Sequence, residues 1–235
     1  WWIMNSSDRV MVTYMVGIAA NGIYAVSYKL PSLVSTMTGI FNQAWSYSAI
    51  REEGADDEAD YNNSMFQTLA AISITLGLGL LLVTKPFLKI YVGNDYYIAW
   101  KYTPFLIIGC IFLTLATFMG TSYTVHKDSF GFLFSGTFGA VFNIVLNFLL
   151  IPVIGVSGAA VATCVSYIAV FTFRVFHTRK YIVYKVLYKE FVLGTALLFL
   201  SAAIMFIDSI AGFLLQTAVL PQIRKPLSPS DFRTT

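Results

Sequence analysis

The sequence predicts an all-α polytopic membrane protein with about seven to eight transmembrane helices. Of the 235 residues, 57% are hydrophobic and only 11% are charged, whereas about 25% are charged in typical soluble domains. The mean hydropathy is +0.71. So little charge cannot cover a soluble surface, which argues against a soluble enzyme, a nucleic-acid-binding protein and a disordered chain. The uncharged runs also far exceed the roughly 9–11 residues of a barrel strand and do not alternate, so helices are predicted.

The first part of the chain is predicted to hold two transmembrane helices. We expect one from the chain start to about residue 18 and another over 22–49, because glycines flank Asn21 at the break between them. The hydrophilic loop 51–60 follows and carries six of the twelve acidic residues. The chain begins in an apolar segment without a signal peptide, so we expect a fragment that lacks its N-terminal part.

Five further crossings are predicted from uncharged runs near the roughly 20 residues that a bilayer requires. They cover 61–84, 102–125, 129–150, 156–173 and 191–207. Residues 85–101 are predicted to be interfacial, and Pro152 and Gly155 divide the uncharged run 129–173. Residues 181–223 are expected to form a terminal helix or helical hairpin, in which 209–223 is short for a full crossing, and 224–235 to form a polar tail.

The distribution of cations predicts the orientation in the cytoplasmic membrane. The loops on one side (51–60, 126–128 and 174–190) carry seven cations, namely Arg51, Lys127, Arg174, Arg179, Lys180, Lys185 and Lys189. The loops on the other side (85–101 and 151–155) carry three, namely Lys85, Lys89 and Lys101. Because cytoplasmic loops are enriched in Lys and Arg, the first set is predicted to be cytoplasmic.

No catalytic, metal-binding or phosphate-binding motif is found in the sequence, so no enzyme activity, metal or cofactor is predicted. His126 and His177 lie at predicted helix ends and are interpreted as interfacial residues rather than metal ligands. Cys110 and Cys164 lie within apolar runs and are interpreted as small core residues.

Charged residues inside predicted helices are the strongest functional signal, because a charge at the centre of a membrane helix costs at least about 2.5–3.5 kcal/mol on insertion scales. Asp8 and Arg9 fall within the first helix. We expect each to face the interior of the bundle. Asp8 is interpreted either as a coupling residue or as part of a structural charge network.

The second predicted helix carries a polar stripe along its whole length. Its candidate binding residues recur at helical spacing and are Lys29, Ser32, Ser35, Thr36, Asn42 and Gln43. The stripe indicates either a water-accessible cavity lined by protein or a polar seam between helices, and Lys29 could alternatively reach the interface as a snorkelling side chain. Pro31 is predicted to kink this helix and free a backbone carbonyl.

Small residues recur every four positions on two of the predicted helices. One set is Gly131, Ser135, Gly139, Asn143 and Asn147, and the other is Gly158, Ala162 and Ser166. This spacing allows close approach of helices in lipid. For Asn143 and Asn147 the pattern leaves open whether they form interhelical hydrogen bonds or line a polar cavity.

Two groups of motifs resemble one family. They are Asp8-Arg9 followed by Gly17, Gly22, Tyr24 and 39–45 (GIFNQAW), and 143–147 (NIVLN) followed by Ile151-Pro152, Gly155 and 158–163. In order and spacing they resemble bacterial oligosaccharide-lipid flippases of the polysaccharide biosynthesis family, over about residues 1–180. That family shares a superfamily with multidrug and toxin extrusion transporters and the lipid II flippase.

The resemblance implies a transporter of twelve to fourteen helices in two lobes around a central cavity. It implies that 1–180 is the C-terminal lobe, whose partner, the N-terminal lobe, is absent here. The implied activity is export of undecaprenyl-pyrophosphate-linked oligosaccharide across the membrane by alternating access. Arg9 and Lys29 could then hold the pyrophosphate, and Ser32, Ser35, Thr36, Asn42 and Gln43 could hold sugar groups.

Three alternatives remain. A cation-coupled multidrug exporter of the same superfamily would require acidic residues in the cavity, and Asp8 is the clear intramembrane acid. A membrane-embedded polysaccharide polymerase would be expected to carry a long outer loop with catalytic residues, and the longest predicted outer loop is 85–101. The third is a structural half-domain that does not transport.

Overall fold

The protein is described here by a computed structural model that covers residues 2–51, 58–186 and 188–207. The regular elements of these ranges are all helical. The helices are α1 (Trp2–Met15), α2 (Ile18–Ser27), α3 (Lys29–Arg51), α4 (Glu58–Tyr91), α5 (Thr103–Val125), α6 (Ser129–Ile154), α7 (Val156–His177) and α8 (Lys189–Ile204), with short 3₁₀ helices at Asn94–Lys101 and Thr178–Lys180. The acidic residues 52–57, the run 209–223 and the tail 224–235 lie outside the described residues.

Helix α5 forms the centre of the bundle. In its most apolar stretch 83% of the residues are buried, against 22% in α6. The core joins α5 side chains such as Leu115 and Phe118 to residues of α3, α4, α7 and α8. A helix that is apolar all round belongs inside a bundle, whereas the large exposed side chains of α6 suit contact with lipid.

Four helices in the described ranges are long and apolar enough to cross a bilayer, namely α4, α5, α6 and α7 with its 3₁₀ extension. They correspond to four of the predicted crossings. Helix α3 has 23 residues, but its polar side chains lower its hydropathy, and α8 has 16 residues. A polytopic helical fold is thus confirmed, while the number of crossings stays a prediction.

The predicted single helix over 22–49 is wrong, because the chain breaks at Tyr28 between α2 and α3. Pro31 explains the break, since its ring excludes the carbonyl oxygen of Ser27 from the normal helical hydrogen bond. Thr103 donates to that carbonyl through its hydroxyl at 3.3 Å. The break with α1 lies at Gly17, the first residue of the segment 17–22 in which it is predicted, and its φ of 126° favours glycine.

Two predicted loop boundaries also differ from the structure. The helix predicted to end at residue 84 continues as α4 through residues 85–91, with Pro86 inside it. Arg174, predicted in the loop 174–190, lies within α7 and is buried. Without Arg174, the loops predicted to be cytoplasmic carry six cations and the opposite loops carry three. The cation asymmetry that predicts the orientation therefore remains.

The start of α6 is fixed by polar contacts outside the membrane-spanning segments. Asp128 caps the helix by accepting a hydrogen bond from the Gly131 amide at 2.8 Å. Lys180 and the Tyr181 hydroxyl also donate to its carboxylate, at 2.9 and 2.8 Å. The Gly131 hydrogen bond, followed by those of Lys180 and Tyr181, holds the pKa of Asp128 well below its usual range.

The hairpin of α6 and α7 confirms close packing of small residues. Gly155 turns the chain with a φ of 62°, and Gly158 then packs directly on the backbone of α6. A Cβ atom on Gly158 would lie 2.6 Å from the carbonyl oxygen of Leu150. Because backbone cannot move aside as a flexible side chain can, glycine is required here.

Gly158→Ala is expected to destabilise the protein by about 1–3 kcal/mol, as overpacking does. The matched control is Gly136→Ala on α6, where a Cβ would meet no atom within 4 Å. That change should be neutral or stabilise by up to about 1 kcal/mol, because alanine favours helix. Melting temperatures of the purified chain in one detergent would check both, and equal melting temperatures for the two variants would contradict the close contact.

Candidate functional site

A buried carboxylate near the start of the chain connects four helices through its hydrogen bonds. Asp8 on α1 is completely buried. One of its oxygens accepts hydrogen bonds from the Tyr24 hydroxyl of α2 at 3.2 Å and from the Thr163 hydroxyl of α7. The other oxygen accepts from the Asn147 side-chain amide of α6 at 2.5 Å. We call Asp8, Tyr24, Asn143, Asn147 and Thr163 the Asp8 cluster.

The two asparagines of α6 complete this cluster. Asn143 accepts hydrogen bonds at its side-chain oxygen from Asn147 at 3.2 Å and from the Ser7 hydroxyl at 3.3 Å. Both asparagines are fully buried. Of the two interpretations left open by the sequence, the structure therefore supports interhelical hydrogen bonds.

The partners of Asp8 are neutral groups. In the described part of the chain, no lysine or arginine forms an ion pair with Asp8. A buried carboxylate with three neutral donors is partly compensated, because each hydrogen bond to a charged group contributes about 1.5–3 kcal/mol. Hydrogen bonds from neutral groups cannot cancel a full negative charge, so a small cation would stabilise an ionised Asp8 here, and burial would stabilise a protonated one.

The predicted polar stripe lies on the surface of the bundle. Lys29, Ser32, Ser35, Thr36 and Gln43 are exposed and Asn42 is half-buried. The opposite face of α3 is buried and includes Leu30, Val34 and Trp45. We call this set of six exposed or half-buried side chains the α3 polar strip.

An apolar strip runs beside the α3 polar strip on the same helix. Leu33, Met37, Ile40 and Tyr47 are 48%, 58%, 69% and 80% exposed. Together the strips give α3 an exposed surface that changes from polar to apolar around the helix. Such a surface suits a position at the edge of a cavity, with water on one side and lipid or protein on the other.

The predicted site residues thus separate into two groups. Asp8 belongs to the buried cluster, whereas Arg9 and Lys29 are both exposed. No hydrogen bond or ion pair between residues of the described ranges joins Arg9 or Lys29 to Asp8. The intramembrane acid and the two cations therefore occupy different environments.

Sequence reasoning missed Arg174 as a buried residue. Its guanidinium donates to the Ala116 carbonyl at 2.6 Å and to the Ser135 hydroxyl at 3.0 and 3.1 Å. The rings of Tyr123 and Phe132 lie 5.7 and 5.4 Å from its central carbon. These contacts join α5, α6 and α7, so Arg174 stabilises the bundle. The sequence feature that could have indicated this contact is Ser135, which belongs to the series of small residues on α6.

The part of the chain that the structure describes has no metal site built from several His, Cys, Asp or Glu side chains. It contains no group of three or more His, Cys, Asp and Glu side chains able to hold a metal ion. His177 instead shares a hydrogen bond of 2.9 Å with the Tyr123 hydroxyl, and His126 stacks on Tyr181. The Asp8 cluster instead brings buried oxygen atoms together around a single carboxylate.

Comparison with known proteins identifies the fold. No protein-family model matches the sequence, and no curated protein sequence matches it. Among solved structures, the lipid II flippase MurJ in an inward closed conformation superposes with a TM-score of 0.73 at 18% identity, over 98% of this chain and 51% of that chain. A MOP superfamily transporter from Pyrococcus furiosus gives a TM-score of 0.64 at 18% identity, over 90% and 50% of the two chains.

These similarities confirm the predicted type of fold. The chain spans about half the length of the solved structures that it matches. The two matched structures are a flippase and a transporter, and four helices of the described ranges are long and apolar enough to cross a membrane. The chain therefore has the fold of about half of each of these two structures.

Proposed function

We propose that the chain is one lobe of a membrane flippase that moves an undecaprenyl-pyrophosphate-linked oligosaccharide to the outer leaflet by alternating access. The observation that carries the proposal is the exposed α3 polar strip on a helix of a membrane transporter fold. Polar side chains exposed within a membrane protein require water, ligand or another protein surface. A cavity between two lobes supplies that environment.

The charges favour an anionic cargo. The exposed ionic side chains of this region are the cations Arg9 and Lys29, whereas the acid Asp8 is buried among neutral partners. Cations at the edge of a cavity bind phosphate oxygens through charge-assisted hydrogen bonds. A cationic drug would instead be repelled by Arg9 and Lys29 and could not reach Asp8, so a multidrug exporter is the less favoured alternative.

The rest of the α3 surface suits the other parts of such a cargo. The Gln43 amide can both donate to and accept from sugar hydroxyls, and the Ser32 and Thr36 hydroxyls, whose protons donate to carbonyls of α3 at 2.7 and 2.9 Å, can accept from them. The neighbouring apolar strip offers Met37 and Ile40 to the isoprenoid chain. One exposed face therefore contains groups for the headgroup and the lipid.

Alternating access requires a second lobe opposite α3. The chain matches about half of each solved transporter, so we propose that an N-terminal lobe faces the α3 polar strip. Relative rocking of two lobes then opens the cavity to one side at a time. On this proposal the chain alone inserts into the membrane but does not transport. A polysaccharide polymerase is not favoured, since nothing in the described region 85–101 groups catalytic side chains.

We further propose that the Asp8 cluster couples transport to a proton or a monovalent cation. The side-chain oxygens of Asp8, Asn143 and Thr163 lie within one hydrogen-bonded network. The Asn147 side-chain oxygen is buried without a hydrogen-bond partner among the described groups. Oxygen donors of this kind suit a hard cation, and a proton would equally remove the charge of the carboxylate.

The function of Lys29 can be tested in the complete transporter, formed by this chain with its N-terminal lobe. Lys29→Ala is expected to lower glycan export at least about tenfold, because a hydrogen bond to a charged group contributes about 1.5–3 kcal/mol. Lys29→Arg should keep part of the export, since the charge remains but its shape changes. Export would be measured in a deletion strain and normalised to the amount of protein in the membrane.

The matched control for this test is Lys89→Ala, which removes an exposed cation that lies on α4 and is not part of the α3 polar strip. It should leave export unchanged. Normal export by Lys29→Ala at normal abundance would refute the proposed contact with the cargo. Equal loss in both variants would show that overall charge, rather than Lys29, matters.

The proposed coupling can be tested on the chain alone. Binding of a proton or a cation to the native state stabilises that state. The melting temperature in detergent should therefore depend on pH or on sodium concentration. The ionic strength would be kept constant with choline chloride. Asp8→Asn preserves the shape of the side chain and should remove the dependence on sodium and reduce the dependence on pH, of which a part at low pH comes from Asp128. No dependence in the unmodified chain, or the same dependence in Asp8→Asn, would exclude coupling at Asp8.

A further inference from the structure

A recess separate from the Asp8 cluster and the α3 polar strip lies at the far end of α7. Its volume is about 470 Å³. One wall is the last turns of α7, with Val175 and Phe176, and the other is the non-helical segment that follows, with Tyr184 and Val186. At about 1.5 Å per residue, Phe171 at its inner end lies about 12 Å along the helix from Thr163 of the Asp8 cluster.

Two cations stand at the rim of this otherwise mostly apolar recess. Arg179 is exposed and its guanidinium carbon lies 4.6 Å from the centre of the Phe176 ring. Lys185 is exposed and its ammonium lies 3.4 Å from a carboxylate oxygen of Asp60, a side chain that is itself 83% exposed. A surface ion pair of this kind is weak, so Lys185 remains able to bind another anion.

The recess lies where the membrane surface is expected. The apolar span that contains α7 ends at Lys180, and the cation distribution places this end on the cytoplasmic side. Phe176 and Val183 are 60% and 63% exposed, so large apolar groups adjoin the two cations. The tyrosines Tyr184 and Tyr188 also line the recess, and tyrosine is enriched at the depth of lipid headgroups.

We propose that this recess binds an anionic phospholipid of the cytoplasmic leaflet. Its phosphate lies between Arg179 and Lys185, and an acyl chain packs along Val175 and Phe176. Basic recesses beside membrane helices on the cytoplasmic side attract anionic headgroups. The apolar walls favour a lipid over free phosphate, which would leave them exposed. The proposal is independent of the cargo that the transporter moves.

The test uses the purified 235-residue chain in a neutral detergent. Binding of phosphatidylglycerol would be measured by native mass spectrometry and by lipid-dependent change in melting temperature, with phosphatidylcholine and inorganic phosphate as separate ligands. Phosphatidylglycerol should bind at least about tenfold more tightly than phosphatidylcholine, because each cation near an anionic headgroup contributes on the order of a fivefold gain.

The double variant Arg179→Gln/Lys185→Gln should lose this preference for phosphatidylglycerol. The matched control Lys89→Gln/Lys127→Gln removes two exposed cations outside the recess and should keep it. A third variant, Phe176→Ser, changes an exposed apolar side chain and should weaken phosphatidylglycerol binding while leaving any binding of inorganic phosphate unchanged. Melting temperatures without lipid would verify that each variant is folded.

Three results would overturn the proposal. The first is equal binding of phosphatidylglycerol and phosphatidylcholine by the unmodified chain. The second is equal loss of preference in the two double variants, which would indicate attraction by overall charge. The third is displacement of phosphatidylglycerol by inorganic phosphate at equal concentration, which would assign the recess to a free anion rather than to a lipid.

Discussion

A polar side chain within a bilayer must find its hydrogen-bond partners inside the protein or face water, because lipid supplies none. This chain meets the requirement in both ways. Asp8 on α1 receives hydrogen bonds from α2, α6 and α7 and is completely buried. The polar side chains of α3 stay exposed along one strip of the helix. The first arrangement holds the helices together, and the second requires water, a ligand or another protein surface beside α3.

The two regions are connected through α2. The hydrogen bond from Tyr24 to Asp8 fixes α2 against α1, and the break at Tyr28 leads directly into α3. Thr103 of α5 is not part of the Asp8 cluster, but its hydroxyl donates to the Ser27 carbonyl at this break and so ties α5 to the end of α2. We propose that coupling would act through this connection, with a change of charge at Asp8 altering the contacts of α2 and thereby the position of the α3 polar strip.

Hydropathy was enough to predict α4 to α7, because long apolar runs have few alternatives in a membrane. Helical spacing likewise predicted the α3 polar strip. The partners of Asp8 could not be predicted, since Asn147 and Thr163 are 139 and 155 residues away in the sequence. The burial of Arg174 was missed for a related reason. Its partners Ala116 and Ser135 lie on α5 and α6, and only packing brings them to the end of α7.

We propose that the α3 polar strip faces water while the apolar strip beside it does not. Single cysteines would be introduced on a Cys110→Ala/Cys164→Ala background, and the chain would be expressed with the N-terminal lobe. Membranes made accessible from both faces would then be treated with a membrane-impermeant maleimide. The claim predicts reaction at positions 32, 36 and 43 and little reaction at 33, 37 and 40, where the side chains are exposed but apolar. Equal reaction on both strips, or none on the polar strip, would contradict it.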